Sequence, residues 1–153
     1  VEEELMVGVL IAQVLSTLWL AGMIWTIQVL HYPLFDLVGT DGFAAYEAAH
    51  SSRISLLLLG PWAVQGVCTA WVLLANPAGV PRWLVFLGAA LAATTVAVTV
   101  LVSVPQHQLL GDGFDAVAHA RLVSTNWWRT AAWTGHGLVA VAMLVLHLRA
   151  TSR

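Results

Sequence analysis

Residues 83–104 read WLVFLGAALAATTVAVTVLVSV, twenty-two positions without a charged side chain. A bilayer core is crossed by roughly 20 helical residues, so this run is long enough to span a membrane. Comparable apolar runs cover about 5–30, 54–75 and 131–148, interrupted mainly by Gly, Ser, Thr, Gln and Trp, which membrane helices tolerate. Across all 153 residues, 59% are apolar and 9% charged, too few charges to clothe a soluble fold. The prediction is an all-α membrane protein: a single domain, residues 1–153, with four transmembrane helices in an antiparallel bundle. Glu2, Glu3 and Glu4 are acidic where a secretory signal needs positive charge, so the first run is expected to remain as a span. The lone Cys68 allows no disulfide framework and reads as packing. A net charge of −2 with no lysine excludes nucleic acid as an expected partner.

Four spans put both termini on one side. The middle connection, Asn76-Pro-Ala-Gly-Val-Pro-Arg82, is a short run of turn residues. The other two connections, about 33–53 and 106–130, share the opposite face and hold five of the eight acidic residues. His31, His50, His107 and His119 lie in or beside them. One membrane face is bare and the other carries the chemistry. Arginines number three per face, so the positive-inside rule is balanced. If Arg53 and Arg129 belong to a site, the bare face with both termini is expected in the cytoplasm.

Asp-Gly-Phe occurs twice on the His-rich face, at 41–43 and 112–114, each time ahead of a His and an Arg. Two related helical hairpins are one reading, chance recurrence of a turn the other. In either, Asp-Gly makes a turn able to cap a new helix, Phe rests at the membrane interface, and residues 43–52 and 114–125 form short helices that lie at the membrane surface or continue into spans two and four.

Helical spacing then says which groups converge. Glu47, His50 and Arg53 lie at successive steps of three, and His119, Asn126, Arg129, Trp133 and His136 form a stripe if residues 115–148 are one helix. Thr95, Thr99, Ser103 and His107 fall at steps of four, and Gln13, Thr17, Ile24, Gln28 and His31 nearly so. Such rows ordinarily serve packing, and a single His at a helix end is ordinarily interfacial. Four His, a Glu and two Arg on one face are harder to explain that way, because ionisable groups at membrane depth need partners or a task. Asp36, Glu47, Asp112 and Asp115 are the expected arginine partners. Imidazoles with one carboxylate suit a transition metal ion, Fe, Cu or Zn. His31, Glu47, His50, His107 and His119 are the candidate ligands, and Glu47-Ala-Ala-His50 has the spacing helical bundles use for metal carboxylate sites. Arg53, Asn126 and Arg129 are the candidate catalytic residues around them. Haem ranks below a bare ion, with His136 its best axial candidate. His147, Arg82 and Arg149 on the bare face receive no role.

The phrases Gln28-Val-Leu-His-Tyr-Pro-Leu-Phe35, Phe43…Tyr46…His50-Ser-Ser-Arg53 and Asn126-Trp-Trp-Arg-Thr130 resemble a group of small bacterial four-helix membrane proteins of unknown function. More loosely, the chain is similar to the anthrone-oxygenase-like membrane family. The first resemblance implies a bacterial inner membrane setting; the looser one implies oxidation of a polycyclic aromatic substrate with dioxygen and transfers no residue role. The expectation is a metal-dependent membrane oxidoreductase acting on a lipophilic small molecule, in contact with membrane lipid. The alternatives are a metal- or haem-binding protein, a homo-oligomer, and a non-catalytic subunit of a larger membrane complex.

Overall fold

The computed structural model describes residues 2–152. It is all α, with four helical stretches long and apolar enough to cross a membrane: Glu2–Leu37, Phe43–Ala75, Arg82–Gly111 and Ala116–Thr151. Each outruns the apolar core from which it was predicted, because the polar ends, including residues 43–53 and 116–130, continue the spans as regular helix, the second of the two expected arrangements. The elements are α1 (Glu2–Thr26), α2 (Phe43–Ala75), α3 (Arg82–Val98), α4 (Val104–Gly111) and α5 (Ala116–Thr151).

The first and third spans are not uniform helices. A π-helical turn, Ile27–His31, follows α1 and runs into a 3-10 turn, Tyr32–Leu37; a second π turn, Thr99–Ser103, joins α3 to α4. In each, the residue after the turn bonds five residues back, Tyr32 N–H to the Ile27 carbonyl and Val104 N–H to that of Thr99. In each, proline comes next, Pro33 and Pro105. Proline has no N–H to give and its ring crowds the carbonyl four residues back, so the ladder loosens ahead of it. This realigns the polar row. Steps of four drift by about 40° each in an α-helix, which would spread residues 95–107 over about 120°. The extra residue in the π turn takes back about 100° of that. Thr95 and Ser103 are accordingly buried, with Thr99 and His107 half-buried.

Loops follow from local chemistry. Asn76 ends α2 in the left-handed region, φ 47°, its N–H bonded to the Val72 carbonyl at 3.0 Å. Gly79 has φ +74° and lies so close to α5 that a Cβ there would collide with Ala150. His147 pins the same connection by donating from Nδ1 to the Ala78 carbonyl, 3.0 Å. On the other face, Asp115 caps α5 by accepting from the Ala118 N–H at 2.7 Å. The Asp-Gly aspartates do not cap: Gly42 and Asp115 hold the N-cap positions. The first repeated Phe turns inward, and the second, Phe114, is half-buried. Phe43 is fully buried and meets Phe114 edge-to-face, centroids 5.0 Å apart, so the two Asp-Gly-Phe turns pack on each other.

Around the bundle, α1 packs on α2 and α5, α5 packs on α3, and α2 meets α4 and α3 on its far side. One apolar core, with Leu20, Ile24, Phe35, Phe43, Leu122 and Trp133, lies toward the His-rich face. A second, with Leu10, Val72, Leu84, Val85 and Met143, lies toward the bare face. Outward positions such as Leu56, Leu59, Trp83, Leu101 and Leu138 are exposed and apolar, as lipid requires.

Candidate functional site

The two π turns deliver their side chains to one place. Tyr32, released from the first, directs its hydroxyl to Nε2 of His107, 2.9 Å away and four residues after the second. His107 Nδ1 lies 2.7 Å from Oε1 of Glu47 on α2. A carboxylate can only accept, so the proton sits on Nδ1, Nε2 is the acceptor, and the Tyr32 hydroxyl donates to it. Ser51, one turn beyond Glu47, donates to the same Oε1 at 2.7 Å. Arg129 of α5 faces the Tyr32 hydroxyl and donates from Nη1 to Ser103 Oγ at 3.3 Å. The result is a chain Glu47–His107–Tyr32 running to Arg129. His119 serves it indirectly: its Nε2 donates to the Tyr32 carbonyl, 2.8 Å, and its ring stacks on Phe35.

Beside this chain His31 and His50 bond to each other, Nε2 to Nδ1, at 2.8 Å, and the His50 ring stacks against His107 with centroids 5.3 Å apart. Two acceptor or donor positions stay open in the interior: Glu47 Oε2 and His50 Nε2 are buried without a partner. Buried polar atoms are rarely left so, and each marks a place for water, an ion or a ligand.

Two cavities flank α2. The larger, about 620 Å³, is lined by Tyr32, Glu47, Ser51, Ser103, His107 and Arg129 at one end. Its other walls are apolar, with Ile54, Leu58, Leu59 and Trp62 of α2 facing Val100 and Val104. Leu59, Val100 and Val104 are also exposed on the lipid-facing surface, so the cavity borders the bilayer. The smaller, about 280 Å³, is lined by His31, Tyr46, His50 and Arg53.

The structure gathers most of the predicted residues and gives several a different place. His31, Glu47, His50 and His107 come together, yet three of their ring nitrogens and one carboxylate oxygen are spent on one another, leaving Glu47 Oε2 and His50 Nε2 open. Among the described residues no group of three or more His, Cys, Asp or Glu is arranged to hold a metal ion. His119 bonds backbone and does not join them. Asn126 is a tie between spans, donating to Gln28 Oε1 at 2.9 Å while Gln28 donates to the Val123 carbonyl. Arg53 is exposed, reaching the smaller cavity only. Tyr32, Ser51 and Ser103 were missed as site residues; Tyr32 stands in the quoted His-Tyr-Pro phrase, and Ser103 in the polar row of the third span.

His136 does not fit a haem ligand. It is fully buried, with Gln65 3.0 Å from Nδ1 and Gln13 3.2 Å from Nε2. The Trp133 indole can only donate, and it donates to Gln65 Oε1 at 3.2 Å. The Gln65 amide nitrogen therefore faces His136 Nδ1, which accepts, and the ring proton is on Nε2. Amide nitrogen and oxygen exchange by a half-turn, so Gln13 presents its oxygen to that N–H. No lone pair is left for iron. Gln65 also donates to Thr17 at 3.2 Å, making this cluster a pin between α1, α2 and α5.

Comparison with protein-family models, curated proteins and solved structures returns no match.

Proposed function

We propose that the protein is an integral membrane oxidoreductase that takes a lipophilic small molecule into the larger cavity and removes a proton from it. The observation that carries this reading is the Glu47–His107–Tyr32 chain ending in an apolar cavity open toward lipid. Glu47 holds His107 with Nε2 free to accept, His107 accepts the Tyr32 proton, and the phenolate so formed, beside Arg129, takes a proton from the substrate. A buried carboxylate–imidazole–hydroxyl chain is general-base machinery, and a dry cavity strengthens its electrostatics. The substrate anion then carries the electron pair that an oxidant accepts. The resemblance to anthrone-oxygenase-like proteins makes dioxygen that oxidant: anthrone plus dioxygen gives anthraquinone plus water. In this reading the spans cross a bacterial inner membrane, with both termini in the cytoplasm and the His face outside it.

The test is anthrone oxidation by purified protein in phosphatidylcholine nanodiscs, followed by mass spectrometry against a protein-free blank. Turnover should exceed the blank, and Glu47→Gln should lower it by about 10²–10⁴, the range of a lost general base. Wild type and Glu47→Gln both at the level of the blank would remove the enzymatic reading.

A second reading is a transition-metal site, favoured by the open Glu47 Oε2 and His50 Nε2, two ligand atoms of suitable type one helical turn apart. It requires His31 or His107 to exchange its present hydrogen bond for the ion. Elemental analysis decides it: stoichiometric Fe, Cu or Zn, lost in His50→Ala and kept in His147→Ala, is the expected pattern, and metal-free active protein excludes it.

A further inference from the structure

Arg129 is 3% exposed, sits on a membrane-spanning helix, and pairs with no carboxylate among the described residues. Its Nη1 reaches only the Ser103 hydroxyl, its Nε has no partner, and its guanidinium lies 5.3 Å over the Trp133 ring. A serine and an indole face solvate a cation in part and do not neutralise it. The remaining acids offer no relief. Glu47 is held by His107 and Ser51, with His107 and Tyr32 standing between it and Arg129. Asp36, Asp41, Asp112 and Asp115 are exposed, and Glu2, Glu3 and Glu4 stand at the other end of α1. An uncompensated buried charge is among the costliest features a membrane helix can carry, and it persists where a partner arrives from outside.

We infer that the missing counter-ion is the head group of the ligand: the larger cavity takes a single-chain lipophilic acid, a carboxylate or phenolate, its oxyanion on Arg129 and its apolar body along α2. The donors are in place. Arg129 Nε has no hydrogen-bond partner, and Ser103 accepts from Arg129 and keeps its own proton to give, while the Tyr32 proton is engaged by His107. Ile54, Leu58, Leu59, Trp62, Val100 and Val104 supply the apolar wall. A volume of about 620 Å³ suits one drug-sized molecule and not a two-tailed phospholipid. The exposed rim at Leu59, Val100 and Val104 gives a path from the bilayer, where such acids partition. The inference rests on the proposed function only for the choice of cavity, and it holds whether or not the ligand is turned over.

The experiment is displacement of cis-parinaric acid from the full chain in phosphatidylcholine nanodiscs, read as quenching of tryptophan emission, to which Trp62 contributes. Dodecanoate should displace the probe at a concentration at least about tenfold below that of dodecan-1-ol, the margin of a charge-assisted over a neutral hydrogen bond. Dodecylammonium should displace it no better than the alcohol. Arg129→Gln should bring dodecanoate to the level of the alcohol, and Ser103→Ala should narrow the gap without closing it. Should Arg129→Gln fail to fold, the wild-type order of the three head groups decides alone. Equal displacement by acid, alcohol and amine overturns the inference even if anthrone is oxidised. Acid preference without any turnover upholds it and removes the enzyme. Displacement by phosphatidylglycerol as effective as that by dodecanoate overturns the single-chain assignment.

Discussion

Replacing Gln65 by leucine tests the buried pin around His136 without touching the cavity. The side chains are similar in size, so packing changes little, while three hydrogen bonds disappear: to Thr17, to His136 Nδ1, and from the Trp133 indole. Trp133 and His136 are fully buried and have no water to turn to. Interhelical hydrogen bonds in membranes average about 0.6 kcal/mol with a ceiling near 1.7, so three of them set a loss of about 2–5 kcal/mol. The assay is reversible unfolding in mixed micelles titrated with a denaturing detergent, for Gln65→Leu, His136→Leu and the double variant. The first should be destabilised by that amount. The double variant should be less destabilised than the sum, with a coupling of about 0.5–3 kcal/mol, because both remove the same bond. A neutral Gln65→Leu, or strict additivity, would refute the pin and return His136 to the pool of free ligands.

Tyr32→Phe should leave the fold within about 1 kcal/mol of wild type, one neutral hydrogen bond, while abolishing anthrone turnover; retained turnover would show that His107 acts on substrate directly. Gly79→Ala forces a side chain into a positive-φ position against α5 and should cost about 2–4 kcal/mol in the same unfolding assay. For topology, Ala78→Cys in a Cys68→Ala background should resist a membrane-impermeant maleimide added to intact cells and react after lysis, since Ala78 is exposed on the face assigned to the cytoplasm.

The spans were legible because composition alone forces them: runs such as 83–104 have nowhere else to go. The convergence of His31, Glu47, His50 and His107 was legible from steps of three and four along helices. What the ring nitrogens do was not. A histidine's position says nothing of which nitrogen meets which neighbour, so the mutual pairing of His31 with His50, and of His107 with Glu47, stayed hidden behind an expected ion. His119 and Asn126 lie on the right stripe and spend themselves on the Tyr32 carbonyl and on Gln28. Arginine partners were sought among Asp and Glu, and Arg129 has none among the described residues. The π turns left a faint mark, a proline just beyond a polar row, though the same mark precedes ordinary kinks.

The π turn at Thr99–Ser103 makes the site depend on how the backbone is wound as well as on identities. Deleting one residue there would let α3 and α4 run on as a single uninterrupted helix, with the membrane span still ample and every functional side chain still encoded. Because the π turn already takes back the rotation of one residue, the rows on either side would stay aligned to within about 20°, and His107 would still face Glu47 and Tyr32; winding all the present residues as regular α-helix would instead turn the rows against each other by about 100°. Descendants of this chain can therefore shed a codon between Thr99 and Ser103 and keep the site, whereas a substitution that lets the same residues wind as unbroken α-helix would dismantle it while leaving the bundle intact.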